Sequence, residues 1–287
     1  MKESKNMTGT DELFLQEIRD ALTEVLKPYQ KQLAQRQRMA ELLTACIRCA
    51  DRDDFVQLDE LLQTKIAGDI EKEEELGACV DLLARLKSYA DEKVERYRLN
   101  LIEDLTARAE EAGLPLEIDF PRFSSLKGIE GTIDFAKRST SINKKAIKSI
   151  DPKRIISALL RVKRELYDRP YDAQAFIDAL YQTYAEILKK DGLPPGHPVP
   201  IQRFYFECVM SLQSKVFFQD MDKGKFRGYT LDQFAVDIWR YFQAGTGGTS
   251  RGYALQLRPG RNNSLWLIDS DGEKRQITSI SFQKAEP

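Results

Sequence analysis

The chain has 287 residues, a formal net charge of −1, 42% hydrophobic residues and 31% charged residues. This balance is typical of a globular protein and excludes the low-hydrophobicity composition of a disordered chain. Because no apolar run approaches about 20 residues, neither a membrane-spanning helix nor a membrane partner is expected. Residues 1–9 lack the apolar core of a secretory signal, which predicts a disordered tail and a cytoplasmic protein.

The N-terminal region predicts a long amphipathic helix. Thr10 is suited to an N-cap, and apolar residues then recur at spacings of three and four along one helical face. These residues are Phe14, Ile18, Leu22, Val25, Tyr29 and Leu33, and the pattern continues through Leu43 and Ile47. Pro28 lies within the pattern and is expected to kink or interrupt the helix.

A second long helix is predicted from Asp51 to Ala112, where Gly113 supplies a stop signal. Its apolar positions continue at helical spacing for most of this length, and a break near the acidic segment 69–75 is left open. Together the two helices predict a helical hairpin or coiled coil over residues 10–113. This region is expected to bind a helical protein partner or to form a homo-oligomer.

The segment 114–151 predicts a small β element followed by a basic stretch. The sequences LEIDF (116–120) and GTIDF (131–135) alternate polar and apolar residues, which predicts a β-hairpin. The next residues, up to about 150, are rich in Lys and Ser and are expected to form a loop or a short helical segment. They belong to the region from Arg122 to Arg164, where 12 basic residues accompany only 3 acidic ones.

Asp151 and Pro152 predict the start of another helix, with an N-cap acid and a proline at the first helical position. At 100° per residue its apolar and basic side chains fall on opposite faces. The apolar set is Ile155, Leu159, Val162 and Leu166, and the basic set is Lys153, Arg154, Arg161 and Arg164. This pattern predicts a helix that packs on a core and presents four cations to solvent.

Residues 152–287 predict a helical domain that ends in a β-sheet. Three further helices are indicated, and Thr230 with Gln233 forms a capping box at the start of the third. Strands are predicted over 253–258, 264–269 and 275–282. Three helices and a hairpin follow the element order of a winged helix, a helix-turn-helix variant. The predicted fold is therefore mostly α with small β elements: an N-terminal helical hairpin or coiled coil, a central β-hairpin and a C-terminal winged-helix-like domain.

Little in the sequence supports enzymatic chemistry. His197 is the single histidine and lies in a Pro-rich connector, which argues against histidine-based catalysis. Cys46 and Cys49 form a CxxC without a second pair, so buried thiols are expected instead of a zinc site. The glycine-rich segment 245–252 lacks the GK[ST] ending of a phosphate-binding loop. No cofactor, metal ligand or catalytic residue is predicted.

One enzymatic alternative stays open. Several acidic residues near the predicted hairpin, together with a lysine, have the chemistry of a metal-dependent nuclease, although not its familiar spacing. These residues are Glu117, Asp119, Glu130, Asp134 and Lys137.

The basic stretch and the helix after it are the predicted nucleic-acid site. Nine cations there suit phosphate oxygens. They are Lys137, Arg138, Lys144, Lys145, Lys148, Lys153, Arg154, Arg161 and Arg164. Ser139, Thr140, Ser141 and Asn143 are expected to add neutral donors, and the scarcity of aromatic residues disfavours stacking on a single strand.

The predicted function is a non-enzymatic nucleic-acid-binding subunit of a larger assembly, with DNA favoured over RNA. A protein-protein adaptor that binds no nucleic acid is the alternative, because an acidic protein surface also suits these cations. The metal-dependent nuclease is the second alternative.

Overall fold

The computed structural model describes residues 9–284, with side chains from residue 13 onward. The predicted tail lies outside these residues, apart from Gly9, with which the first helix begins. The described chain is mostly helical, with small antiparallel sheets and a long N-terminal helix. None of the helices described is both long enough and apolar enough to cross a bilayer. The chain divides into two compact units, the first ending at Glu103 and the second beginning at Asp104.

The first unit is built from helices α1 to α4. Their bounds are Gly9–Asp51 (α1), Phe55–Leu62 (α2), Lys65–Ile70 (α3) and Gly77–Glu111 (α4), and the unit boundary falls within α4. Pro28 lies inside α1 without ending it. The helical pattern from Asp51 to Ala112 forms three separate helices, α2, α3 and α4. One break falls at the acidic segment, as the sequence left open, where a 3₁₀ turn over Glu74–Leu76 precedes α4. The other, between α2 and α3, was not predicted.

The core of the first unit involves only the C-terminal part of α1. Ten buried side chains form it: Met39, Leu42, Cys46, Cys49, Leu58, Leu62, Ala67, Ile70, Leu83 and Ala90. Tyr89 of α4 also donates a hydrogen bond of 2.9 Å to Asp53 Oδ1 in the turn after α1. These helices therefore bury their short apolar stripes against one another.

The N-terminal part of α1 contributes nothing to this core. Every side chain from Leu13 to Arg38 is exposed, and we call this segment the arm. The predicted apolar face is helical, but its side chains from Phe14 to Leu33 are not covered, and Ile47 is also exposed. The residues of α1 that enter the core begin at Met39 and lie on a different side of the helix.

The second unit opens with a five-stranded antiparallel sheet. Its strands are Glu117–Asp119 (β1), Arg122–Ser124 (β2), Glu130–Asp134 (β3), Ser139–Ile142 (β4) and Lys145–Ile147 (β5), in the order β1-β2-β3-β4-β5. The two strands expected to form a central hairpin are β1 and β3, and β2 lies between them. The Lys-rich stretch expected as a loop or helix contains β4 and β5. The central hairpin is thus corrected to a sheet, because β2 and β5 have three residues each and are too short to show alternation.

Helices and a second sheet complete the unit. The helices are Pro152–Leu166 (α5), Ala173–Asp191 (α6), Ile201–Ser211 (α7), Lys215–Asp220 (α8) and Leu231–Gln243 (α9). A short strand, Val199–Pro200 (β6), precedes α7, and three strands follow α9: Tyr253–Pro259 (β7), Leu265–Ile268 (β8) and Lys274–Lys284 (β9). These last three strands agree with the predicted ones. The sheet order is β6-β9-β7, and β8 pairs with β9.

Helix α9 is the centre of the second unit. Thr230 and Gln233 form the predicted capping box, with the Thr230 side chain accepting from the Gln233 backbone and the Gln233 side chain from the Thr230 backbone. Six of its side chains are buried: Phe234, Ala235, Val236, Asp237, Ile238 and Tyr241. They lie on several sides of the helix because α5, α6 and β8 all contact it.

Candidate nucleic-acid interface

Helix α5 carries four of the predicted cations and is amphipathic as predicted. Asp151 caps it by accepting a hydrogen bond of 2.9 Å from the backbone N–H of Lys153, and Pro152 occupies the first helical position. Its apolar residues are buried and its cations are exposed. The buried set is Ile155, Ile156, Leu159, Val162 and Leu166, and the exposed set is Lys153, Arg154, Arg161 and Arg164. The buried face therefore fixes the direction in which the cations point.

The turn between β4 and β5 carries Lys144, and Lys145 is the first residue of β5; both cations are exposed. Lys144 and the preceding Asn143 have positive φ angles of 67° and 45°. The Asn143 side chain stabilises this turn, since it accepts from the Glu130 N–H and donates to the Gly128 carbonyl at 2.7 Å. The same amide donates to Asp232 Oδ2 at 3.1 Å, which connects the turn to α9.

The turn between β3 and β4 carries Lys137 and Arg138. Asp134 accepts hydrogen bonds from both the backbone N–H and the Nζ of Lys137, at 2.9 and 2.8 Å. The Lys137 ammonium and these hydrogen bonds lower the pKa of the Asp134 carboxyl. Lys137 thus has a local counterion, and its charge is partly neutralised before any ligand binds.

Helix α5 contacts β4, and side-chain contacts connect both of its ends to the segment around β5. Near the start of α5, Thr140 Oγ1 donates a hydrogen bond of 2.8 Å to the carbonyl of Ser149. Near its end, Lys145 Nζ lies 3.4 Å from Glu165 Oε2. Because β5 begins at Lys145 and α5 ends close to Glu165, the two elements form one strip about as long as α5, roughly 22 Å.

This strip contains most of the predicted cations. Arg138, which precedes β4, and Lys148, which follows β5, lie toward the start of α5 with Lys153 and Arg154. Lys144 and Lys145 lie toward the other end, near Arg164. We call these residues and Arg161 the basic strip. Its length corresponds to about six nucleotides along one strand of a duplex.

The cations of the basic strip differ in how far the protein itself neutralises them. Lys145 pairs with Glu165, and Lys137 just beyond the strip pairs with Asp134. Six others have no carboxylate within 4.0 Å among residues 9–284: Lys144, Lys148, Lys153, Arg154, Arg161 and Arg164. These six positive charges have no acidic partner in the described chain, so the electrostatic potential over the strip is positive.

The neutral donors predicted beside the cations serve mainly inside the protein. Thr140 is buried and bonds to Ser149, and the Asn143 amide is occupied by the contacts described above. Ser139 and Ser141 are half-buried in β4. Phosphate recognition by the strip would therefore rest on its Lys and Arg side chains.

A cleft beside the strip was not anticipated from the sequence. It has a volume of about 860 Å³ and lies among β1 to β3, the start of α9 and β8. Lys144 lines it, as does Trp266, which is 51% exposed. The Lys274 ammonium in its wall pairs with Glu130 at 2.8 Å. The cleft unites residues more than 140 positions apart, so no local pattern could have indicated it.

The acidic residues of the nuclease alternative do not form a metal site. Glu117, Asp119 and Glu130 line the cleft, whereas Asp134 is engaged by Lys137 in the turn between β3 and β4. Across residues 9–284 no group of three or more His, Cys, Asp or Glu side chains is arranged to hold a metal ion.

The cysteines and the histidine also lie apart from any such arrangement. Cys46 and Cys49 are buried free thiols in the core of the first unit, as expected. Burial, followed by the proximity of Cys49, raises the pKa of the Cys46 thiol, which disfavours the reactive thiolate. His197 is exposed in its connector.

The chain was also compared with protein-family models, curated proteins and solved structures, and none of them matched it.

Proposed function

We propose that the protein is a non-enzymatic nucleic-acid-binding subunit of a larger assembly, that it binds duplex DNA in preference to RNA, and that its arm serves oligomerisation or partner docking. The observation that carries the proposal is the basic strip. Its cations are exposed and six of them have no acidic partner in the described chain, while the buried face of α5 fixes the orientation of the four on that helix. Positioned Lys and Arg side chains are the groups that bind phosphates and release counterions.

The topology of the second unit supports a winged-helix-like domain. Helix α6, strand β6, helices α7 and α9 and strands β7 and β9 occur in a winged-helix order, with α8 and β8 as additional elements between them. The short β6 pairs with the last strand, which places β9 between β6 and β7. In helix-turn-helix proteins this kind of scaffold presents a helix to the major groove of DNA.

The helix in the position of a recognition helix is α9, and its burial leads to a different docking mode. Only Asp232 and Gln243 of this helix are exposed, and Asp232 is acidic and bonded to Asn143. A helix covered by α5, α6 and β8 cannot enter a groove. We therefore place the phosphate contacts on the exposed face of α5 and on the turn between β4 and β5.

The salt dependence of duplex binding tests this proposal. A variant with Lys144, Lys145, Arg154 and Arg161 changed to Glu would be titrated against duplex DNA and duplex RNA over a range of salt concentrations. If each of these cations contacts a phosphate, the slope of log K against log salt falls in magnitude by about 3 to 4. We expect that loss with DNA, and weaker binding to RNA by the parent chain.

A matched variant separates a local effect from a change in net charge. Lys65, Lys72, Arg85 and Lys87 are exposed cations of the first unit, and reversing all four changes the net charge by the same amount. This control is expected to keep most of the slope. Equal losses in both variants, or no loss in the basic-strip variant, would refute the strip as the binding surface.

One observation favours the adaptor as a second candidate function. Apolar side chains are exposed around α7 and α8, with exposed fractions between 42% and 65%: Phe206, Val216, Phe218, Met221 and Phe226. Such clustered apolar exposure is typical of surfaces that bind proteins. Two results together would favour the adaptor. The parent chain would bind neither duplex at low salt, and the variant with Lys144, Lys145, Arg154 and Arg161 changed to Glu would still bind its protein partners.

A further inference from the structure

The arm presents an uncovered apolar row. The row consists of Phe14, Ile18, Leu22, Val25, Tyr29 and Leu33, whose exposed fractions range from 39% at Ile18 to 68% at Leu33. Leu15 and Leu26 lie beside it and are 45% and 51% exposed. A single helix with every side chain in water is only marginally stable, because most helical stability in proteins comes from packing an apolar face. Packing of the row against another apolar surface would therefore stabilise the arm.

We infer that the row is covered by the same row of a second copy of this chain, with the two arms antiparallel. The inference rests on the proposed function only in taking the arm as an oligomerisation element. Its first support is the spacing of the row, which reads four, four, three, four, four from Phe14 to Leu33. This order is the same in both directions along the helix, so a two-fold axis between Leu22 and Val25 matches the rows.

The matching layers combine side chains of complementary size. Residues whose numbers add to 47 meet at the same level: Phe14 with Leu33, Ile18 with Tyr29, and Leu22 with Val25. Each layer pairs a larger side chain with a smaller one. In a parallel pair, Tyr29 would instead lie against Tyr29 of the second copy and Val25 against Val25, which gives layers of unequal width.

Charge distinguishes the antiparallel arrangement from the parallel one. Residues 13–25 carry three acidic side chains, Glu17, Asp20 and Glu24, and one basic side chain, Arg19. Residues 26–38 carry four basic side chains and no acidic one: Lys27, Lys31, Arg36 and Arg38. An antiparallel pair places the acidic half of each arm beside the basic half of the other, and it also opposes the helix dipoles. A parallel pair would bring like charges together.

The apolar surface is large enough for a stable pair. A specific interface buries about 800 Å² on each partner. Eight large side chains at roughly 100 Å² each supply an area of that order. The row is about 29 Å long at the helical rise of about 1.5 Å per residue. The arm thus suits a partner helix of equal length.

The mass of the full chain in solution is the first test. We expect the mass of two chains for the parent and of one chain when Ile18 and Val25 are both changed to Asp. Because both residues are exposed in the single chain, these substitutions leave the core of the first unit intact, which circular dichroism would verify. Ile47 provides the matched control, since it is 62% exposed on the same helix beyond the arm, and Ile47→Asp should leave the pair intact.

Disulfide crosslinking is the test of orientation. A chain carrying Phe14→Cys and a differently tagged chain carrying Leu33→Cys would be mixed and oxidised, with the parent chain as the control for its native thiols. We expect the mixed product in preference to either product between like positions. A parent of one-chain mass, a mass that Ile18→Asp and Val25→Asp do not change, or crosslinks only between like positions would overturn the inference.

The outcome is separable from the test of nucleic-acid binding. The cations of the basic strip lie outside the arm, so the paired-Asp variant should keep its salt slope per chain. A single chain in solution with an undiminished slope would overturn the pairing and leave the nucleic-acid proposal standing. A parent chain that forms a pair but binds no duplex would overturn the nucleic-acid proposal and leave the pairing standing.

Discussion

Tyr229 donates a hydrogen bond of 2.6 Å to Asp237 Oδ2 inside the second unit, where Asp237 is only 2% exposed. The same carboxylate forms an ion pair with Arg169, from the connection between α5 and α6. Arg240 lies beside it, stacked on the Tyr171 ring with 4.1 Å between the guanidinium carbon and the ring centroid. This cluster connects α9 to residues 167–172, the segment between α5 and α6.

We predict that Asp237→Asn lowers the free energy of unfolding of the second unit by about 2 to 3 kcal/mol, since it leaves the half-buried Arg169 guanidinium without its partner. Both tryptophans, Trp239 and Trp266, lie in this unit, so urea unfolding followed by their fluorescence measures the change. The control is Asp271→Asn, because its side chain is 70% exposed and pairs with Arg275 at the surface. That change should cost less than about 1 kcal/mol. Equal decreases in the free energy of unfolding for the two variants would mean that the charge of Asp237 contributes no more to stability than a surface charge does.

Local signals accounted for the starts of α5 and α9, although they did not separate α8 from α7. Asp151 with Pro152 and Thr230 with Gln233 are capping patterns that depend on residues one to three positions apart, and both helices begin where these predict. The exposure of Arg161 and Arg164 also followed from the helical period. Contacts between distant segments were not predictable in this way. The bond from Asn143 to Asp232 spans 89 positions, and it shapes both the turn of the basic strip and the cleft.

The first unit illustrates the converse. The apolar row from Phe14 to Leu33 was read correctly as one face of a helix, but amphipathicity does not specify what covers the face. Here the described chain leaves it open, and α1 enters its own core from Met39 onward. The separation of α2 from α3 escaped prediction because Leu62 and Ile66 keep the helical spacing across Gln63 and Thr64, where the backbone leaves the helix.

Gly131 provides a prediction about the sheet that supports the basic strip. It pairs with Phe123 across β2 and β3, and the Phe123 ring covers it so closely that an added Cβ would lie 2.0 Å from Cζ. Phe123 is 4% exposed and has little room to move. Gly131→Ala should therefore destabilise the second unit by about 1 to 3 kcal/mol.

The comparison is Gly68→Ala in α3. A Cβ at Gly68 would meet nothing within 4 Å, so alanine should stabilise the first unit by up to about 1 kcal/mol through its helix propensity. Calorimetry of both variants measures the two changes. Shifts of the same sign would show that backbone preference, not the Phe123 contact, decides the effect at Gly131.

Alkaline pH should destabilise the second unit through its buried tyrosines. Burial raises the pKa of Tyr167 to about 12, from an ordinary value of 10.0, and burial also raises the pKa of Tyr171 and of Tyr229. Between pH 10 and 12 the unfolded chain loses these protons while the folded chain keeps them, so the free energy of unfolding decreases as pH rises. Below about pH 10 these tyrosines are protonated in both states, and their contribution to the free energy of unfolding is fully retained.

Tyr167→Phe should make that decrease less steep, because it removes one of the groups whose protonation differs between the two states. Unfolding by urea at several pH values from 8 to about 11.5 measures the slope. Thr230→Ala is the control: it costs about 1 kcal/mol by removing the cap of α9, but it removes no titrating group. Its slope should stay parallel to that of the parent. A Tyr167→Phe slope identical to the parent's would contradict the assigned cause.

Glu165 is an acidic residue beside the basic strip, and its Oε2 lies 3.4 Å from Lys145 Nζ. Its side chain is 49% exposed, so the pair contributes little to stability. If the strip binds phosphates, Glu165→Gln frees the Lys145 charge and removes a repulsion, and duplex affinity should rise about three- to tenfold at low salt. Glu186→Gln, an exposed site on α6, makes the same change in net charge and should leave affinity within about twofold. Titration of labelled duplex against both variants decides the point, since an equal rise would reflect net charge alone and a decrease for Glu165→Gln would place the duplex elsewhere.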